Sequence, residues 1–329
     1  MGISSSLGSS ALLPAGLGFR NTLTNGSFLV DQRNSSAAQT ITAAAVLAYT
    51  TDRWYAYCTG ANVTSQRIAG SAPFQYNHQF TGATSNTLVG FGQRIEAANS
   101  FNYAGATATL SAYIKSSSLT SVTWTLYYAT TTDSFGTIAS PTRTQIATGT
   151  FTISSVLTRF STQIAVPAAA TTGLELVFTT GALVASQTLV FAGVQLEQNY
   201  QATPFEQRPI GVELELCQRY YEDSVTTTST VGANVGIGGN TYCAPTFFKV
   251  TKRIAPTSVN GANDTSGNIR MWNNLGSAGS ISYYQGGWTY AHTTMTMDWF
   301  GIWGFSLTTI GGLTDADLIA FRYAYSAEL

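Results

Sequence analysis

Charge is scarce in this sequence. Asp, Glu, Lys and Arg together make up 9% of its residues, with a formal net charge of -1, where an ordinary soluble domain carries about 25% charged residues. A nucleic-acid partner needs a basic surface that neutralises phosphates, so that class is excluded. Histidine is scarcer still. His78 and His292 are too few for a His-rich metal site, and no metal or other cofactor is expected. Cys58, Cys217 and Cys243 are the three cysteines. None stands in a C-x-x-C pair and the count is odd, so buried free thiols are the plainer expectation, with room for one bridge. No apolar run approaches the roughly eighteen residues of a transmembrane helix, so no membrane insertion is expected. The opening MGISSSLGSSALLPAGLGFRN lacks a basic n-region and a clear apolar h-region, and does not read as a secretory signal.

Catalytic signatures are also missing. There is no G-x-S-x-G, no H-E-x-x-H and no Gly-rich phosphate loop; GIGG at 236–239 follows no convincing strand and opens no helix. Glu213 and Glu215 are two apart, as are Asp315 and Asp317. Such spacing points the carboxylates away from each other, and neither pair forms a glycosidase dyad, although distant carboxylates can converge in a fold. Asp264, in NGANDTSGN, lacks acidic ligands at the offsets of a calcium loop. No enzyme is expected, and a polysaccharide depolymerase is the least favoured reading.

What the sequence does have is Thr, Ser, Asn, Gln, Gly and aromatic residues in short alternating runs. At 329 residues it exceeds one ordinary core. The expected class is all-β: a jelly-roll β-sandwich over 21–208, a short helix and linker over 209–240, and a smaller β-sandwich over 241–329. Residues 1–20 form an arm without periodicity. It is either disordered or an assembly segment that packs Leu7, Leu12, Leu13 and Leu17 on a neighbouring subunit. With so little charge a lone monomer has weak colloidal repulsion, which favours oligomers.

The expected strands begin with Phe28–Gln32, after the Asn25-Gly26 turn. A short strand then places Trp54, Ala56 and Cys58 on one face, with Trp54 in the core. Strands follow at 63–68, 74–80 and 88–95; Phe74, Tyr76 and His78 share a phase, and His78 reads as a structural residue rather than a ligand. Further strands cover Leu110–Ile114, Val122–Tyr128, 146–151, 158–166 and 174–178, with a loop at 130–144. Thr is dense in these runs, and its branched side chain suits a pleated sheet. Strands without intervening helices indicate an antiparallel sandwich.

In LVFAGVQLE, Val190, Ala192, Val194 and Leu196 read as one face, and Leu189 and Phe191 as the other; apolarity on both predicts a central strand. Gln195 and Glu197 alternate with that apolar set along a polar seam. Beyond a polar crossing, Glu206 and Arg208 flank a turn where they can pair with each other or with the helix. Pro209 suits a helix start, Glu213 or Glu215 suits its positive end, and Leu214, Cys217 and Tyr221 mark its phase, with Cys217 buried. Tyr242–Val250 reads as a strand. Lys249, Lys252 and Arg253 form a basic cluster, either a solvated strand end or a site for phosphate or acidic sugar. The last stretch is rich in aromatics. Trp272, Tyr283, Tyr284, Trp288 and Tyr290 are candidates for stacking on sugar faces, with Asn, Gln and Thr supplying hydrogen bonds at low charge; the alternative is that they fill the second core or an interface.

Several segments resemble phage tail-fibre and related virion surface proteins built around a carbohydrate-binding-module-like jelly roll. They are NTLTNGSFLVDQR (21–33), YTTDRWYAY (49–57), ATLSAYIKS (108–116), FAGVQLEQNYQATPFEQRPIGVELELCQRYY (191–221), FFKVTKRIAPTSV (247–259) and the final SAEL (326–329). The 191–221 block is the most specific, and it is a structural signature. The resemblance implies a virion component assembled in a host cytoplasm as a homotrimer. It would be a tail-fibre tip, head fibre, capsid decoration or baseplate appendage that contacts other virion proteins through the N-terminal arm and host cell-surface polysaccharide through its loops. A purely structural adaptor or cementing protein is the alternative.

Overall fold

The computed structural model describes residues 19–44, 46–224, 246–255, 269–272, 281–284, 288–292, 296–308, 318–320 and 322–329. The first strands are β1 (Gln39–Ile41), β2 (Ala48–Tyr49), β3 (Tyr55–Thr59), β4 (Val63–Ala69), β5 (Tyr76–Thr81) and β6 (Leu88–Ile95). A short helix, α1 (Ala97–Ser100), runs into a 3-10 turn at Phe101–Tyr103. Then come β7 (Thr107–Ser116), β8 (Ser121–Ala129), β9 (Arg143–Thr152), β10 (Thr158–Ala165), β11 (Leu174–Thr180) and β12 (Thr188–Glu197). They form two six-stranded sheets, β1-β4-β5-β12-β7-β10 and β2-β3-β6-β11-β8-β9, antiparallel throughout. This is the jelly-roll sandwich that the alternating pattern predicts.

The core lies between the sheets. Trp54, Ala56 and Cys58 of the first short run, Val89 and Phe91 of β6, Leu110, Ala112 and Ile114 of β7, and Leu176 and Phe178 of β11 all belong to it. Phe91 is sandwiched between Trp54 (ring centroids 4.7 Å apart) and His78 (4.6 Å). His78 is a structural residue: Thr51 Oγ1 lies 2.6 Å from its Nδ1 and Ser65 Oγ 2.9 Å from its Nε2. Burial pulls its pKa down to about 3, so it is held neutral between two hydroxyls.

The observed strands differ from expectation in informative places. Phe28–Gln32 is not a strand. Phe28 has a positive φ of 57°, and it follows a turn at 24–27 and packs against Trp54. The Ser/Ala/Thr-rich stretch after it supplies β1 and β2 instead, both edge strands too short for a visible period. In β12 the expected faces are wrong for half of the strand. Leu189 and Phe191 point to the core, and so do Val194 and Leu196. A register shift between Ala192 and Gln195 switches the phase. It is centred on Gly193, whose φ of 47° favours glycine. β12 remains central, between β5 and β7.

After β12 the chain crosses the outer face of its own sheet and enters α2 (Ile210–Gln218), with Pro209 at the N-cap and Glu213 in the first turn. Tyr221 is not helical as its spacing predicts. The helix ends at Gln218, and β13 (Tyr221–Asp223) begins directly. The remaining strands are β14 (Thr246–Phe247), β15 (Ile269–Trp272), β16 (Ile281–Tyr284), β17 (Trp288–His292), β18 (Thr296–Gly301), β19 (Gly304–Thr308), β20 (Leu318–Ala320) and β21 (Arg322–Ser326). They pair into three-stranded sheets, β13-β21-β15, β14-β19-β18 and β17-β16-β20, so the described residues of this part are in strands and their connections. Of the expected Tyr242–Val250 strand only Thr246–Phe247 is one; 242–245 lie outside the described residues, as do Leu7, Leu12, Leu13, Leu17 and Cys243. Cys58 and Cys217 are buried free thiols. Among the described residues no helix is long and apolar enough to cross a membrane.

Candidate functional site

Two polar assemblies among the described residues stand out, and they differ in kind. The first is a buried node where α2 and the chain's last residues meet the sandwich. The Glu328 carboxylate pairs with Arg33 (3.0 Å) and with Arg53. The Arg53 guanidinium lies 3.4 Å from the Tyr220 ring centroid. Arg94 donates to the main-chain oxygen of Leu329 (2.9 Å), and Arg253 donates to the main-chain oxygens of Ala327 (2.6 Å) and Glu328 (2.8 Å). Gln32 donates to the Asp52 carboxylate (2.6 Å) and to Tyr221 O (3.0 Å). Burial raises the Asp52 pKa to about 7, against the opposing pull of Arg33 and the Gln32 hydrogen bond.

The node explains the segments singled out in the sequence. Gln32-Arg33, Asp52-Arg53, Gln218 to Tyr221, Lys252-Arg253 and the final SAEL converge on it. The basic cluster divides: Lys249 is exposed just past a strand end, as the solvated reading has it, while Lys252 and Arg253 are committed to the node. Lys252 is buried, with Nζ 2.6 Å from Glu222 and donating to Gln218 O. Burial lowers its pKa, and Glu222 pulls the other way. Arg219 bridges to Glu96 (3.0 Å), and Tyr323 OH donates to Glu222 (2.6 Å). These pairings make the node a lock between the sandwich and the later strands, although the buried Nε atoms of Arg33 and Arg53 have no hydrogen-bond partner.

The second place is open to solvent. A groove of about 380 Å³ runs along the β7–β10 edge, lined by Thr109, Ser161, Thr162, Gln163, Tyr200, Gln201 and Ala202. Its floor follows from strand register: Gln163 of β10 pairs with Thr109 of β7, and Ser161 with Ser111. Its wall is the crossing segment after β12, pinned to the outer face of the sheet. Thr109 Oγ1 donates to Asn199 O (2.7 Å), and Gln163 Nε2 donates to Tyr200 O. Gln195 and Glu197 do face a polar seam. Gln195 Nε2 donates to Glu197 (2.9 Å), Thr203 Oγ1 donates to the same carboxylate (2.7 Å), and Glu206 N donates to Gln195 Oε1 (2.8 Å). Further on, Arg208 pairs with both Glu206 (3.2 Å) and Glu213 (3.4 Å), and Cys217 is fully buried on the inward side of α2.

This pinning leaves the Tyr200 ring 71% exposed at the groove, beside hydroxyls and carboxamides. No charged side chain lines it. Arg159, two residues before Ser161 on β10, is tied to Ser111 Oγ (3.0 Å) and to Thr203 O. Such a site offers a flat apolar surface with neutral donors and acceptors around it.

The aromatic residues proposed for sugar contact from the sequence lie elsewhere. Trp272 ends β15, Tyr283 and Tyr284 lie in β16, and Trp288 and Tyr290 lie in β17; Tyr284 pairs with Trp288, and Ser282 with Tyr290. Their side chains lie outside what is described. Sequence reading missed Tyr200. The available signal was a lone aromatic inside the polar run Gln198-Asn199-Tyr200-Gln201, where a buried position would be hard to satisfy. Among the described residues no group of three or more His, Cys, Asp and Glu gathers to hold a metal ion.

No protein-family model matches the chain, and no curated protein does either. Several solved structures are similar over about half of it. One is described as "CBM4 structure and function" (16% identity, 53% of this chain and 98% of that one, TM-score 0.33). Another is TmCBM61 in complex with β-1,4-galactotriose (10% identity, 55% and 99%, TM-score 0.34). A third is the enzymatically active domain of bacteriophage CBA120 tailspike protein 4 (14% identity, 55% of this chain and 22% of that one, TM-score 0.32).

Proposed function

We propose that this chain is a non-catalytic glycan-binding subunit of a virion surface, a fibre or decoration protein whose jelly-roll sandwich displays the β7–β10 groove to neutral host polysaccharide. The groove carries the reading: an exposed tyrosine ring stands among hydroxyl and carboxamide groups with no charge between them. Buried carboxylates elsewhere in the described residues serve as acceptors for arginines and main-chain amides, as Glu175 does for Arg94 (2.8 Å) and Arg143. The virion setting, and assembly as a homotrimer, rest on the segments resembling phage fibre proteins.

Isothermal titration of the full chain with neutral gluco-, galacto- and manno-oligosaccharides tests it. Binding to at least one, weakened tenfold or more by Tyr200→Ala at unchanged melting temperature, is the expected result. No binding to any of them, or equal binding by the variant, overturns the groove as the site. Light scattering at micromolar concentration reads the trimer, and a monomer counts against that part.

A purely structural adaptor is the second reading, and one observation favours it. β9 and β10 are long edge strands whose only charged residues, Arg143 and Arg159, are drawn onto Glu175 and Ser111. Edges without outward charge invite a neighbouring chain. Silence toward all glycans together with tight binding to another virion protein would select it.

A further inference from the structure

The groove is small. Its roughly 380 Å³ stands near the lower end of ligand-site volumes, about 300–1,000 Å³. It is also open, so a longer ligand must leave it across the surface, and the surroundings show which way it can run.

At the same end of the sandwich, the 3-10 turn before β7 carries a second exposed ring. Phe101 is 65% exposed. Its neighbour Asn102 forms a reciprocal pair with Gln198: Asn102 Nδ2 donates to Gln198 Oε1 (2.7 Å), and Gln198 Nε2 donates to Asn102 O (3.0 Å). Gln198 is two residues before Tyr200 and opens the same crossing segment. The turn is tied to the strand ends by Gly105 N donating to Val166 O (3.1 Å), and Tyr103 OH donates to Leu196 O (3.1 Å). Two exposed aromatic residues therefore lie on segments joined by one pair of surface carboxamides, Phe101 next to Asn102 and Tyr200 two residues after Gln198, on backbone anchored at both ends. Isolated exposed apolar residues are ordinary. Here the two lie on segments tied together by a hydrogen-bonded amide pair, and one of them edges a neutral groove.

We propose that this surface takes an internal stretch of a neutral oligosaccharide chain, not a single terminal sugar. Tyr200 and Phe101 are its two platforms, and Asn102 and Gln198 are the polar contacts between them. The proposal rests on the glycan reading of the groove and adds the ligand's length and neutrality. Acidic sugars gain nothing here. No basic side chain lines the groove: Arg159 is bonded to Ser111 and Thr203, Arg20 to Pro204 O, and the Glu197 carboxylate accepts from Gln195 and Thr203.

The test is a titration of the full chain with a neutral oligosaccharide series from mono- to hexasaccharide, in the configuration that binds, alongside uronic-acid oligosaccharides of matched length. Affinity should rise tenfold or more with length before it levels. Phe101→Ala should remove most of that gain while leaving mono- and disaccharide binding unchanged. Tyr200→Ala should weaken every length. Both rings are exposed, so neither variant should lower the melting temperature. A flat length dependence, or Phe101→Ala without effect while Tyr200→Ala still weakens binding, overturns this inference and leaves the groove reading standing. Tighter binding of the uronic-acid series overturns the neutrality. If Tyr200→Ala changes nothing at any length, the groove reading itself fails.

Discussion

The Arg53 guanidinium stacks on the Tyr220 ring, 3.4 Å from its centroid, while the same side chain grips the Glu328 carboxylate. One residue of the first sandwich thus holds both the turn after α2 and the end of the chain. Burial works against the Arg53 charge, but Glu328 together with Tyr220, Tyr49 and Cys217 outweighs it and raises the pKa.

Truncating that side chain should therefore cost more than a surface ion pair. Arg53→Ala leaves Glu328 buried with Arg33 as its remaining carboxylate partner, and a loss of about 3–5 kcal/mol is expected. Arg53→Lys should not restore it, because an ammonium lacks the planar fork that bridges ring, carboxylate and carbonyl. Urea denaturation of the two variants measures this; a loss under about 1 kcal/mol, the scale of an exposed pair, would show the node to be wet.

Trp54 is fully buried, stacked on Phe91, and its indole N–H donates to Asn25 O (3.0 Å). Trp54→Ala should destabilise the sandwich by about 3–5 kcal/mol through the cavity left behind. Equilibrium unfolding followed by circular dichroism gives the number.

Gly193 sits at the β12 phase switch, and a Cβ there would collide with the Phe74 ring. Gly193→Ala combines a left-handed backbone, about 1–2 kcal/mol for a residue with a Cβ, with overpacking of about 1–3 kcal/mol. A melting temperature equal to that of the parent would mean that the bulge is not held in the folded chain.

Asp52 and His78 give opposite pH trends. The raised Asp52 pKa, about 7 against an ordinary 3.8, contributes stability that is complete below 3.8 and is lost as pH rises through 7. The lowered His78 pKa, about 3 against 6.5, contributes the reverse: stability present above 6.5 and lost as pH falls toward 3. Across the shared window they offset each other. Asp52→Asn removes one side, so relative to the parent it should lose ground as pH falls from 7 to 3.8, by up to about 1.4 kcal/mol per pH unit. Parallel stability-against-pH curves for the two proteins would refute this.

The sequence was enough for the sandwich because its evidence is local. Alternation in 110–114, 122–128 and 174–178 sets which side chains face inward, and the dense Thr favours strand over helix. Pro209 and the acidic first turn mark a helix for the same reason. Local signals failed where a single backbone angle reversed the pattern, at Phe28 and at Gly193, since period-2 counting cannot see a positive φ.

The two polar centres were beyond local reading altogether. Arg33, Arg53, Lys252, Arg253 and Glu328 are far apart in the chain, and only strand order and burial bring them to one node. Tyr200 meets Gln163 and Thr109 because the crossing segment is pinned across β7 and β10. Side-chain period is written residue by residue; which distant residues share a surface is decided by sheet pairing and by the need to satisfy buried charge.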